Sequence, residues 1–545
     1  MVAKYIFLIL SFLNLMSLYN FQEPKTLIIN GLIVTGKENE SSFKGHIIIS
    51  NTGKILDVIR ETGTELNKLK SQYKDLEIIN AEDNIVIPGG VDAGVKFDYL
   101  EGKHFIESSD NFYTGSVAAA VGGTTTIVDL IEANLNEREK NINALKNKLE
   151  EGQNSVIDYT FHFKLNYLDD VLTNRDMIET NCRKIIHQFG LNTFNFDTYS
   201  SKYELTKDQM IDALKIIKKY GGLATINCLD EKYILNEISK YNENEANNIL
   251  EDKAKFKAFI EAFSPFQETK AINDIITLGK EIGFEQGIHI NHISTEGALF
   301  LIHETKKNGF IATTEVTPQH LILTEDLYKS KDAIDFITYP PLRTKNDIEH
   351  LWQGLSEGII DFIVSDHCPF TKDQKRGKRT KPDFRIFYNE DLTLNKTYDD
   401  TYEKWSKKNP SIFDVPQGLP GVETSLILIY HFGVVEKKIS LEKFVEVIST
   451  NAAKRFGLYP RKGILEKWSD ADIVIIDPNE QTKLKAENLH QNTDFCPYED
   501  MSVNGKIKYV FSRGTKIVEN YKITRECLTH QGNMLRRMRY FIGGE

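Results

Sequence analysis

The stretch Ile85-Val86-Ile87-Pro88-Gly89-Gly90-Val91-Asp92-Ala93-Gly94-Val95-Lys96-Phe97 decides the fold. An apolar run broken by Pro-Gly-Gly and followed by an acid reads as a buried parallel strand, Ile85 to Ala93, whose carboxyl end opens onto a site. Downstream of it, short apolar runs alternate with stretches of helical period, the pattern of parallel βα units. Further strands are expected at Thr124 to Leu130, Ile157 to Phe163, Thr193 to Thr198, Leu223 to Cys228, Ile288 to Ile293, Ile311 to Thr317 and Asp361 to Asp366. Between them lie helices such as Lys207 to Lys219, closed by Gly221-Gly222, and Thr269 to Ile282, closed by Gly283. Eight such units predict an α/β fold, a closed (β/α)8 barrel with its site at the carboxyl ends of the strands.

Upstream of the quoted stretch the pattern is all β. Thr26 to Val34 reads as two strands around Asn30-Gly31, and His46 to Ile49 and Lys54 to Ile59 flank an Asn51-Thr52-Gly53 turn. The 545 residues leave ample length for a barrel of roughly 250 residues and a second domain. A net charge of -11 argues against a nucleic-acid partner, because phosphate attraction needs a basic face. The five cysteines form no CxxC pair, so neither a zinc knuckle nor a disulfide framework is expected.

Residues 1–22 carry Lys4 followed by an apolar run, the charge and length of a signal-like leader. If the leader is real, it implies the secretory pathway; the alternative is a cytoplasmic protein. The run is too short for a stable membrane span in the mature chain. A polar insertion at 371–414 interrupts the chain after the eighth strand and is expected over the barrel mouth, as a lid or docking loop or as a disordered insertion. The tail run Met534-Leu535-Arg536-Arg537-Met538-Arg539 reads as a partner contact or a soluble end.

The quoted stretch, Val415 to Thr424, Ser449 to Pro460 and Ser365-Asp366-His367-Cys368-Pro369-Phe370 together resemble the dihydropyrimidinase family of cyclic amidohydrolases, and the likeness runs from near Thr26 almost to the C-terminus. The resemblance implies that Gly463-Ile464 and Ser469 to Asp477 open a β-segment that joins the N-terminal strands in one small β-sandwich. The expected organisation is therefore sandwich at 26–84, barrel at 85–458, sandwich again at 459–521 and a tail at 522–545. A homotetramer is implied as well. So is a site with two metal ions, held by four histidines, an aspartate and a carboxylated lysine, that activates water against a ring amide.

On that cage the chain departs from the family. The His-x-His pair of the first strand falls on Gly94 and Lys96; glycine offers no ligand and a protonated lysine repels a cation. The bridging lysine falls on Asn195, which cannot form a carbamate, and the fifth-strand histidine falls on Asn227. His292 and Asp366 keep their ligand positions, each also readable as a hydrogen-bonded interior residue, and two donors fall short of the three usual at a catalytic zinc. The substrate pocket is expected at Tyr199, Tyr339 and Gln417. A buried Asp366 without ions needs a counter-charge, and Lys96 is expected to supply it. His104, His162, His289, His303, His320 and His367 read as structural.

The expectation is thus a catalytically inactive dihydropyrimidinase-like protein, similar to the collapsin response mediator proteins, with no cofactor, which works by binding a protein or a small ligand. The rival is an active hydrolase of cyclic amides of the dihydropyrimidine or hydantoin type, with zinc in a site rebuilt from carboxylates such as Asp98, Asp197 or Asp230. A ligand-sensing barrel is a third reading.

Overall fold

The computed structural model describes residues 22–537 except 64, 74–75, 102–105, 133–139, 165–178, 180–181, 199–206, 247–251, 285–286, 311, 380–384, 389–391, 393, 398–402 and 405–411. Eight parallel strands form one sheet, in the order Phe362–Ile363, Ala312–Val316, Ile288–Ile290, Leu223–Asn227, Thr193–Asp197, Asp158–Lys164, Thr124–Glu132 and Gly90–Val95. The two ends of this path meet where Val95 bridges His367 in parallel and the Lys96 N–H donates to the His367 carbonyl at 2.9 Å. The curled sheet is therefore nearly a closed barrel, as the eight expected strands require.

The opening stretch serves two sheets. Ile85–Pro88 pairs with Ile473 to Ile476 and with Leu32 and Ile33 in the second sheet, and only Gly90–Val95 enters the barrel. The single strand expected from Ile85 to Ala93 is thus two strands joined at Gly89. A Cβ at Gly89 would lie 2.1 Å from the Thr125 hydroxyl, so the chain changes sheets where only glycine fits.

That second sheet is built from both chain ends, in the order Lys522–Ile523, Thr515–Glu519, Ser502–Ser512, Ile473–Lys483, Ile85–Pro88, Pro24–Ile33, Phe43–Ser50 and Ile55–Arg60. Its apolar face buries Ile28, Ile47, Ile49, Val86, Ile473 and Ile475 in one cluster. The junction with the barrel holds Lys462, which is 1% exposed and donates to Asp158 at 2.6 Å and Asp472 at 2.5 Å, with Asp470 at 3.0 Å.

Around the barrel, the helix Lys207–Lys219 falls where expected and ends before Gly221, whose φ of 70° is a left-handed turn. Pro265–Glu281 starts earlier than the expected Thr269, because proline suits the first turn, where no backbone N–H is needed. Two short antiparallel ladders stand within the described parts of the insertion, Lys378–Arg379 with Glu403–Lys404 and Arg385–Tyr388 with Leu394–Thr397. Lys375 at its base is buried and donates to the Ile337 and Pro416 carbonyls.

Up to Arg537 the tail packs on the barrel and is not a free soluble end. Met534 bridges Tyr159, Leu535 is fully buried, and the Arg537 guanidinium lies inside the barrel floor, donating to Thr160, Thr193 and the Phe161 carbonyl. The signal-like leader lies outside the described residues. No helix among the described residues is long and apolar enough to cross a membrane.

Candidate active site

The carboxyl ends of the barrel strands enclose a cavity of about 40 Å³, lined among others by Gly94, Lys96, Asn195, Asn227, His292, Glu315 and Asp366. Lys96, Asn195, Asn227, His292, Glu315 and Asp366 each arrive from a different strand or from the turn that ends one. His292 and Asp366 stand just past short strands with left-handed backbones, φ 46° and 48°. Such conformations are costly for residues other than glycine, and they cluster where a side chain must be aimed.

Lys96 Nζ donates to Asp366 Oδ1 at 2.8 Å, so the pairing expected from the sequence is formed. The carboxylate side chain is 4% exposed and the lysine 23%. His292 joins the same acid, its Nε2 lying 3.5 Å from Asp366 Oδ1, while its Nδ1 lies 3.0 Å from Glu315 Oε1. Glu315 also meets His289 Nε2 at 2.9 Å. Burial disfavours the charged forms of His292 and Glu315, yet the opposite charges beside them outweigh it: the His292 pKa is raised and the Glu315 carboxyl is held down at about 2. Burial wins at His289, whose pKa is lowered.

A second chain of contacts crosses the middle strands. Lys164 Nζ lies 2.9 Å from Asp197 Oδ2, Asn227 Nδ2 donates to Asp197 Oδ1 at 2.6 Å, and Asn291 Nδ2 donates to Asn227 Oδ1 at 2.9 Å. Burial alone would raise the Asp197 pKa, but Lys164 and Asn227 bring it below the ordinary value. Asn195 Nδ2 donates to Thr225 Oγ1 at 3.1 Å, and its Oδ1 has no hydrogen-bond partner among the described residues.

Of the expected pocket residues, Tyr199 lies outside the described residues. Tyr339 is not among the residues lining the cavity; its hydroxyl donates to the Cys228 carbonyl at 2.9 Å, and its ring packs on Phe263. Gln417 does not line the cavity either. Among the histidines read as structural, His162 bonds Thr193 and the Ala93 carbonyl, His320 bonds Thr317, and His367 bonds Asp110. His162 and His289 nevertheless form part of the cavity wall. Glu315, Lys164 and Asn291 were missed by the sequence reading. Glu315 carried a usable signal, being an acid near the carboxyl end of an expected barrel strand.

Residues 85–517 match the amidohydrolase family. This chain belongs to that family. It is 31% identical over 529 residues to a D-phenylhydantoinase of Escherichia coli O1:K1, spanning 94% of this chain and 98% of that protein. The D-phenylhydantoinase of Escherichia coli K12 is 30% identical over 527 residues, with the same shares covered. Among solved structures, the dihydropyrimidinase from Brevibacillus agri NCHU1002 superposes with a TM-score of 0.79 at 25% identity, covering 95% of this chain and all of that one. The D-hydantoinase from Bacillus sp. AR9 does so at 0.77 and 26%, with the same coverage.

These relatives overturn the reading of the chain as catalytically inactive. That reading rested on lost ligands alone, whereas the likeness to enzymes named for hydantoin and dihydropyrimidine rings runs through nearly the whole chain. The expectation of no cofactor rested on the same lost ligands, and it is withdrawn as well, since members of this family are typically metal-dependent.

The side chains present do not, however, make the two-ion cage. A Cβ at Gly94 would sit 3.1 Å from Val364 Cβ, so the first ligand position is filled from behind by valine. Lys96 carries its ammonium to the retained aspartate. The rival carboxylates are engaged elsewhere: Asp197 with Lys164, Asp230 with Lys270 at 2.6 Å, and Asp98 beside Lys148, with burial raising its pKa to about 7. Among the described residues no group of three or more His, Cys, Asp or Glu side chains is placed to hold a metal ion.

Proposed function

We propose that this chain is a hydrolase that opens the C–N bond of cyclic amides of the hydantoin or dihydropyrimidine type, at the cavity over the barrel strands. The observation that carries the reading is the 31% identity to a D-phenylhydantoinase across 94% of the chain. The cavity supports it, because it gathers a cation, a carboxylate and an oriented histidine in one place. Lys96 Nζ provides positive charge for a carbonyl oxygen that gains negative charge under attack. His292, whose Nδ1 lies 3.0 Å from Glu315 Oε1, has its Nε2 3.5 Å from Asp366 Oδ1, where a proton from water can be taken up and passed to the departing ring nitrogen. Water then adds across the bond, with hydroxyl to the acyl carbon and hydrogen to nitrogen.

The test is ring opening of hydantoin, 5-phenylhydantoin and dihydrouracil by the purified full chain, with and without added zinc, alongside elemental analysis of the same protein. Opening of at least one ring, abolished by Asp366→Ala, is the expected result. No opening of any ring in either condition would sink the proposal and return the chain to a binding role. The homotetramer belongs to the same proposal, and light scattering decides it.

A further inference from the structure

The tail enters the barrel through its floor and carries a charge that the hydrolytic machinery does not use. Gly532 to Arg537 lie along the amino ends of the strands: the Gly532 N–H donates to the Ser155 carbonyl at 2.7 Å, the Leu535 N–H to the Tyr159 carbonyl at 2.7 Å and the Arg537 N–H to the Gly190 carbonyl at 2.9 Å. Leu535 joins Val91, Ala93, Val128 and Phe456 in one apolar cluster, and Ala93, Val128 and Phe456 also line the cavity at the other end. Arg537 is 6% exposed, and its side-chain acceptors among the described residues are uncharged: the Thr160 and Thr193 hydroxyls and the Phe161 carbonyl. Burial lowers its pKa to about 9, so it stays a cation at neutral pH.

From Arg537 the hydrogen bonds run towards the cavity with a fixed direction. Burial, and after it the Arg537 charge, hold His162 well below its ordinary pKa, which keeps the ring neutral with a single N–H. The Ala93 carbonyl can only accept, so that hydrogen is on His162 Nε2, 2.9 Å away, and Nδ1 is bare. Nδ1 then accepts from the Thr193 hydroxyl at 2.7 Å, and the hydroxyl oxygen accepts from the guanidinium. A cation that donates to an O–H makes it a stronger donor to the next group. The Phe456 ring, edge-on to His162 at 4.9 Å, has the same guanidinium 5.6 Å from its centroid. We propose that Arg537 is a positioning residue for the site: through Thr193 and His162 it holds Ala93, and with it the end of strand Gly90–Val95 from which Lys96 reaches Asp366. The chain of bonds is independent of the hydrolase reading above, whereas its effect on turnover rests on that reading.

The experiment is nitrogen NMR of the full chain carrying isotope-labelled histidine at neutral pH, with the His162 signals assigned by their loss in His162→Gln. Thr193→Val removes the relay and is expected to move the Nδ1 resonance towards that of an unbonded bare nitrogen. Arg537→Met is expected to move it the same way by a smaller amount, and Arg537→Lys, which keeps a cation, by less still. Arg536→Met, on an exposed side chain of the same tail, is expected to leave it in place. Hydantoin opening is measured on the same chains, with kcat expected to fall at least about threefold in Arg537→Met while KM changes less than about twofold. An unmoved His162 signal in a folded Arg537→Met chain overturns the proposal, and so does a native ring with its hydrogen on Nδ1. Should Arg537→Met fail to fold, unmoved signals in Arg537→Lys and Thr193→Val overturn it equally. If the signal moves and kcat does not, the positioning role falls while the hydrolase reading stands. If the native chain opens no ring, the hydrolase reading falls and the resonance alone decides this one.

Discussion

Replacing Lys96 by methionine tests the centre of the site. The perturbation removes the ammonium and leaves the Asp366 carboxylate, 4% exposed, facing only His292 Nε2 at 3.5 Å. At the observed 2.8 Å, with an effective dielectric of about 20, the lysine–aspartate attraction is roughly 6 kcal/mol. Desolvation of the two ions cancels the larger part, and the 23% exposure of Lys96 screens what remains, leaving about 2 kcal/mol of net coupling. The assay is a double-mutant cycle in urea with Lys96→Met, Asp366→Asn and the double variant. Lys96→Met alone is expected to cost about 2–3 kcal/mol, and less in the Asp366→Asn background, where no carboxylate is stranded. A coupling below about 0.5 kcal/mol, or a Lys96→Met chain as stable as the native one, would refute the claim that the two charges depend on each other.

At the junction of the two sheets, Lys462→Met should destabilise by about 3–5 kcal/mol in the same urea assay, because three aspartates lose a lysine that is 1% exposed; Lys54→Met, from a lysine 30% exposed, should cost under about 1 kcal/mol. His320 is buried, which pushes its pKa down to about 4, so between pH 4 and 6.5 the unfolded chain binds the proton more strongly and stability rises with pH. Going from pH 7 to 4, the native chain should therefore lose up to about 3 kcal/mol more than His320→Asn. Asp92, raised by burial to about 6, acts with the opposite sign, so the difference between the two chains is the quantity to measure, and parallel pH curves would reject the assignment. Gly94→Ala should cost about 1–3 kcal/mol through its contact with Val364, and Val364→Ala in the same chain should recover most of the loss; no recovery would show that the crowding lies elsewhere.

The barrel was legible because apolar runs and helical periods repeat eight times, and each expected strand has an observed counterpart. The split at Gly89 was not legible, because Ile85–Pro88 and Gly90–Val95 are equally apolar and only the partner strands tell them apart. At the site, individual losses could be read from position, and so could the Lys96–Asp366 pair, since a buried carboxylate requires a counter-charge. Contacts between strands distant in sequence could not. Nothing local to Asn227 announces that it bridges Asp197 and Asn291, or that Glu315 ties together two histidines. The inactive reading failed for a related reason: it counted absent ligands one at a time, without the new partners that stand beside them.

Those partners distinguish a decayed site from a rebuilt one. A cage that loses ligands by drift leaves buried polar groups stranded and space unfilled, each at a cost in stability. Here Val364 closes on Gly94, Lys96 neutralises Asp366, and Asn227 is held from both sides by Asp197 and Asn291. His292 and Asp366 both have left-handed backbones, φ 46° and 48°, at strand ends that face one cavity. On the hydrolase reading proposed above, the mouth of the barrel has exchanged its donor set while keeping the position of its chemistry, so cyclic amides are the first compounds to offer it.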